Sequence, residues 1–333
     1  MSTQWPAAPP QSSVASPEDI AARKLRQAEL LKRGQALRAD PAKPTSVLRK
    51  RFWKDVAVRE GDDGLQILLD ARPVRTASKQ VLTLPRTKRG LASAIALEWE
   101  QLVSAHQALK QHYIPLTSLA SRAVDIQEAD SLKNPKIRQD IIKMMMRYFS
   151  TDTLLCWAPE HSVHDPTGIH SSHSSHSSHG GASSESLRKK QASIAEPIIA
   201  HLTSHVFPGV QIEPILDEHS IMPRSQPEMT RQIIQGWLTG LPAFELAALE
   251  RGVLATKSLL IAVRLLVEWS DEFKHLHAAS SSSDVKFGIA EAAEASTVEV
   301  AWQTGMWGEV EDTHDVEAAD LVRQLGSVVL LVS

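Results

Sequence analysis

Phe52-Trp53-Lys54-Asp55-Val56-Ala57-Val58-Arg59-Glu60-Gly61-Asp62-Asp63-Gly64-Leu65-Gln66-Ile67-Leu68-Leu69 decides the fold, because here the side chains repeat with a period of two. Phe52, Lys54, Val56 and Val58 alternate with Trp53, Asp55 and Ala57, as in a strand whose successive side chains point to opposite faces. Gly61-Asp62-Asp63-Gly64 has the composition of a tight turn, and Leu65 to Leu69 reads as the return strand of a hairpin. Asp70-Ala71-Arg72-Pro73 makes a second turn. Short strands at Val74-Arg75-Thr76 and Val81 to Leu84 extend the meander, so a small antiparallel sheet is expected over about 50–86.

Helical spacing takes over downstream. Leu91, Ile95, Trp99, Leu102 and His106 fall on one stripe, flanked by Glu98 and Glu100. Asn134 caps a helix with Pro135 in its first turn and with Ile137, Ile141, Ile142, Met145 and Phe149 on its buried face. Thr151-Asp152-Thr153 is a polar corner. Helices are then expected over 187–205, 227–238, 243–250, 254–269, 285–303 and 314–330. The predicted class is α+β: a small antiparallel β-rich N-terminal domain followed by a larger all-helical C-terminal domain. Residues 1–45 read as a disordered leader closed by Asp40-Pro41-Ala42-Lys43-Pro44. Residues 46–130 form the β-rich domain with a following helix, and 131–333 the helical domain. A His/Ser-rich insert at 161–184 and a serine linker at Ser280 to Ser283 lack the apolar residues that would offset ordering entropy.

Composition bounds the function. A formal net charge of −3 on 333 residues gives no electrostatic basis for nucleic-acid binding, which needs a concentrated basic face. The single cysteine, Cys156, excludes an internal disulfide and a cysteine-based zinc cluster, and fits a reducing compartment. Leu259 to Val267, the best apolar run, is too short to span a bilayer and carries Arg264. It reads as a buried core helix, and a soluble chain without membrane insertion is expected. A transit peptide should be arginine-rich and acid-poor. Only Ala22 to Arg38 approaches that pattern, and it includes Glu29.

Near the carboxy end stands Trp302-Gln303-Thr304-Gly305-Met306-Trp307-Gly308-Glu309-Val310-Glu311-Asp312-Thr313-His314-Asp315. Two indoles followed by acids suit a surface that grips another macromolecule, since Trp offers contact area at low entropic cost and the acids select the partner's charge. Four other motifs accompany it in order: Leu69-Asp70-Ala71-Arg72-Pro73-Val74-Arg75-Thr76, Glu98-Trp99, Pro115-Leu116-Thr117 and Thr151-Asp152-Thr153-Leu154. Together they resemble the mitochondrial chaperone family that assembles the soluble catalytic head of ATP synthase by binding its alpha subunit. The resemblance runs from about Arg51 to about Leu330. It departs from the family's DGRPxRTP pattern at Ala71 and Ala77, which affects the turn but not the arginines. It implies a monomeric, non-catalytic chaperone in the mitochondrial matrix that needs no cofactor. Its implied client is the unassembled alpha subunit, shielded at the face that later meets the beta subunit.

The candidate partner-binding residues are Glu299, Trp302, Trp307, Glu309, Glu311, Asp312, His314, Asp315, Arg72 and Arg75. Glu299 lies three residues before Trp302, so carboxylate and indole share a helical face. Ile289, Ala293, Ser296 and Val300 form the more apolar stripe beside it. The resemblance places the family's important acid in this stretch, with Glu294 the alternative in another register; an ordinary boundary glutamate is the plainer reading. Arg72 and Arg75 are either carboxylate partners for a client or ties between sheet and helices. Glu309, Glu311, Asp312 and Asp315 are equally explained as acids opposing a helix dipole. With His314 they also offer an alternative, a metal-assisted hydrolase, although no nucleophile or phosphate cradle accompanies them. His170, His173, His176 and His179 recur every three residues, but a flexible tract supplies no fixed ligand geometry, and no metal site is expected. Trp53, Trp99, Trp157, Trp237 and Trp269 are expected in packing.

Overall fold

The computed structural model describes residues 50–159, 186–216, 224–277, 286–308 and 313–333. The leader at 1–45, the His/Ser-rich insert and the serine linker lie outside them.

The two-residue period builds the hairpin where the sequence places it. β1 (Val56–Gly61) pairs antiparallel with β2 (Gly64–Leu69), from Val56 opposite Leu69 to Gly61 opposite Gly64. Gly64 is obligatory: its φ is +136°, and a Cβ there would collide with the Leu84 carbonyl oxygen. The second turn is tighter than the sequence suggests. Asp70 takes a positive φ of 55° and, with Ala71, forms the whole connection, so that Arg72 and Pro73 are already strand β3 (Arg72–Pro73). β4 (Thr83–Leu84) pairs with the other end of β2, and Arg75 bridges Val81. Residues 52–55 precede the sheet, with Trp53 buried, and β1 is an exposed edge. Charged Arg59 and Glu60 on that edge discourage pairing with other chains.

β2 turns Leu65, Ile67 and Leu69 into the core. α1 (Arg89–Gln101) packs across β1 and β2, burying Leu91, Ile95 and Trp99. Trp53 and Trp99 meet edge to face, with centroids 5.3 Å apart. The helix stops at Gln101, so Leu102 is buried just beyond it, and His106 is exposed rather than part of the stripe. No helix is expected from the sequence between His106 and Asn134, where only the Pro115-Leu116-Thr117 motif stands out, but α2 (Pro115–Ser131) fills most of that stretch. α3 (Lys136–Phe149) buries Ile141, Ile142, Met145 and Phe149, and Asn134 Oδ1 accepts from Lys136 N at 3.3 Å.

α4 (Leu187–His201) continues into a π-helical turn over Leu202–Val206, and α5 (Glu228–Gly240) follows. α6 (Ala243–Thr256) extends well past Glu250 and is buried around most of its circumference, as expected of a helix apolar on all sides. α2, α7 (Leu259–Trp269) and α9 (His314–Val332) pack around it. The expected helix from Leu254 is two helices. Lys257, with φ 58°, ends α6, and Ser258 Oγ accepts from Ile261 N at 3.1 Å to start α7. Arg264 on α7 is neutralised by Glu268 at 2.6 Å. α8 (Ile289–Trp307) closes the helical layer against α9 and α4. A continuous set of buried residues runs from Trp53 through Val332. No helix among the described residues is long and apolar enough to cross a membrane.

Candidate functional site

The quoted motifs turn out to be joints of the scaffold. Glu98 on α1 reaches the start of α2, where it accepts from Leu116 N at 2.6 Å, from Thr117 N at 2.9 Å and from Thr117 Oγ1 at 2.9 Å. Trp99 Nε1 donates to the same Thr117 hydroxyl at 3.0 Å. Glu98-Trp99 and Pro115-Leu116-Thr117 are therefore one contact: a carboxylate supplied by one helix satisfies the first N–H groups of another. Burial pushes the Glu98 carboxyl up, against the pull of these bonds.

Asp152 repeats the device at greater depth. It is fully buried. Oδ2 accepts from Leu259 N at 2.8 Å and Leu260 N at 3.1 Å, while Oδ1 accepts from Leu154 N at 3.0 Å. It thereby caps α7 and holds the corner Thr153–Leu155, a single 3-10 turn, against it. Desolvation raises its pKa to about 6, although bonds from Ser258 and the three backbone N–H groups pull it down. Asp70 does the same in the sheet, where its Oδ1 accepts from Lys54 N and Asp55 N, each at 3.0 Å.

The corner held by Asp152 forms one wall of a groove of about 690 Å³. Thr153, Leu154 and Cys156 face Gln191 and Ile194 of α4, Lys257 at the end of α6, and the facing sides of α8 and α9. Leu154, Ala295, Val298 and Leu321 give it an apolar, buried floor. Glu299, Asp315, Glu317 and Asp320 line it with carboxylates against Lys257 and His314. The Cys156 thiol on this wall has its pKa raised, by burial first and then by Asp152 and Glu299. A thiol held protonated in this way is a poor nucleophile.

The structure brings Glu299, His314 and Asp315 into this one groove. Glu299 is exposed on α8 and accepts from Gln303 Nε2 at 3.1 Å. Its helix is phased differently from the expected stripe. Ala292, Ala295 and Val298 are the buried positions, and Val300 is exposed. Ala and Ser occupy both faces of α8, so polarity alone carries little phase information. Trp302 is half-buried and Trp307 is 59% exposed; their rings meet edge to face at 6.4 Å, outside the groove lining. Glu309, Glu311 and Asp312 lie outside the described residues. Arg72 and Arg75 are exposed on the sheet, away from the groove lining, and Arg75 Nη1 donates to Lys79 O at 2.8 Å within its own loop. The sheet is tied to α2 instead by Ser78 to Asp125 and Gln80 to Glu128. Lys257, Glu317 and Asp320 were not singled out in the sequence, where nothing sets them apart from other surface charges. Among the described residues, no group of three or more His, Cys, Asp or Glu is placed to hold a metal ion.

The family model described as ATP12 chaperone protein matches residues 50–203, a span that includes the sheet, the Glu98 joint and the Asp152 corner. Over that span the chain is similar to the ATP12 chaperone family. It is 28% identical to Protein atp12, mitochondrial, of Schizosaccharomyces pombe, over 85% of this chain and 81% of the relative. It is also 28% identical to Protein ATP12, mitochondrial, of Saccharomyces cerevisiae, over 83% of this chain and 81% of that protein. Its fold matches the crystal structure of Atp12 from Paracoccus denitrificans with a TM-score of 0.58 at 22% identity, covering 85% of this chain and 97% of the other. The ATP12-type fold is thus α+β, a small antiparallel sheet leading into a helical body. α8 and α9, which carry Glu299 and Asp315, lie beyond the matched span.

Proposed function

We propose that this chain is a chaperone of the ATP12 type that serves ATP synthase assembly in the mitochondrial matrix by binding the unassembled alpha subunit and shielding the face that later meets the beta subunit. The observation that carries the reading is the groove between α8, α9 and the Asp152 corner, with its apolar floor and carboxylate rim. An orphaned subunit of a hetero-oligomer exposes an apolar contact surface and is aggregation-prone. A partner that covers it reversibly keeps it soluble until its true neighbour arrives. That task requires surface complementarity and a rigid support, and no bond is made or broken.

The groove meets both requirements. Its walls are α-helical or pinned by buried hydrogen bonds, which limits the ordering cost on binding. The exposed indole of Trp307 and the half-buried Trp302 stand on the same helix as Glu299 and extend the contact surface. Glu309, Glu311 and Asp312 add charge of the same sign in the sequence that follows. Arg72 and Arg75 contribute, in this reading, a second contact from the sheet. The chaperone acts as a monomer. The mitochondrial names of the two yeast relatives support the compartment.

The experiment is affinity capture of the protein expressed in mitochondria, with mass spectrometry of what co-elutes. Enrichment of the ATP synthase alpha subunit over beta is the expected result. An eluate without the alpha subunit overturns the reading.

A further inference from the structure

Resting on the chaperone reading above, we infer that the groove between α8, α9 and the Asp152 corner recognises a specific chemistry: a short apolar client segment flanked by lysine or arginine.

Shape and charge both point that way. The floor of Leu154, Ala295, Val298 and Leu321 is apolar and buried, so it rewards apolar side chains that leave water. Small residues at Ala255, Ala301 and Ala318 widen the space between helices, giving an extended or helical segment room to lie along it. Four carboxylates, Glu299, Asp315, Glu317 and Asp320, face one lysine and one histidine across the same space. Asp320 is engaged by Arg323 and Gln324 along α9, and Glu299 by the neutral Gln303. Asp315 and Glu317 are exposed in the first turn of α9. The imbalance leaves a negative field in a cleft with low-dielectric walls, where field lines are focused. A basic flank gains from that field, and an acidic flank is repelled by it. Charge thereby selects the client and speeds encounter, while the apolar floor holds it.

The test uses the full chain and fluorescent peptides with one apolar centre, flanked either by lysines or by glutamates. Anisotropy is read at low and at physiological salt. The lysine-flanked peptide should bind, the glutamate-flanked one should not, and binding should weaken as salt rises. Combining Glu299→Gln, Asp315→Asn and Glu317→Gln, all exposed positions, should weaken the basic peptide about tenfold. Ala301→Trp, an exposed position on the groove lining, should block the lysine-flanked peptide by filling the space. Equal binding of the two peptides, or unchanged affinity in the triple variant, overturns the proposal. It is also overturned if peptides enter only after residues 165–182 are deleted, because the occupant is then the chain's own segment. Capture of the alpha subunit without any basic preference sinks this inference alone. Basic-selective peptide binding without alpha-subunit capture supports the groove chemistry and sinks the proposed client.

Discussion

Asp152 lies between two elements with both oxygens occupied, and replacing it strands several buried donors at once. Asp152→Ala leaves Leu154, Leu259 and Leu260 N–H groups without their acceptor. Urea denaturation should show a loss of about 3 kcal/mol. The pH dependence has a definite sign. The folded-state pKa of about 6 lies above the ordinary 3.8, so the folded chain holds this proton more tightly than the unfolded one. The stability gained is complete below pH 4 or so and is lost as pH rises through about 6. The stability gap between wild type and Asp152→Asn should therefore narrow from pH 4 to pH 7; a gap that widens would contradict this account. At this scale the sequence was partly legible. It marked Thr151-Asp152-Thr153 as a polar corner, but the helix it caps begins over a hundred residues later, and local pattern carries no such pairing. Glu98 and Thr117 were likewise visible as separate motifs and not as one contact.

Among the elements, those with strong periodicity were readable and those with weak periodicity were not. Ile141, Met145 and Phe149 fix the phase of α3, and Leu65, Ile67 and Leu69 that of β2. The hairpin turn was readable from its glycines. Arg72 and Pro73 were placed in a turn because their composition suits one, whereas Asp70 at positive φ lets two residues suffice. The break between α6 and α7 was expected at 251–253 and falls at 257–258, because both helices are apolar nearly all round and only Ser258 and the left-handed Lys257 separate them. Their close crossing supplies a prediction. A Cβ at Gly252 would stand 3.0 Å from Ala262 Cβ, so the two helices approach almost backbone to backbone. Gly252→Val should cost about 3 kcal/mol by overpacking, visible as a lower melting temperature. A melting temperature equal to wild type would show that this crossing tolerates separation.

For the molecule as a whole, the α+β order was legible from the switch in period near residue 86, while the groove was not. Five segments between Thr153 and Gln324 build it, and only the fold brings them together. Glu299, His314 and Asp315 were identified as separate residues and meet there; Arg72 and Arg75 do not. The two interruptions read as low-complexity inserts lack the apolar residues that would offset ordering entropy. Deleting residues 165–182 is accordingly expected to leave melting temperature and client protection within error of the intact chain, and a loss of either would assign the tract a role. Glu299→Lys is expected to fold normally, because the side chain is exposed and its hydrogen bond is to Gln303 one turn along the same helix. It reverses the charge at the groove and should abolish client protection. Light scattering of purified ATP synthase alpha subunit, held under aggregating conditions with and without this chaperone, tests the central claim most directly. Suppression near equimolar wild type and its loss with Glu299→Lys is the predicted result; scattering that wild type leaves unchanged would contradict it.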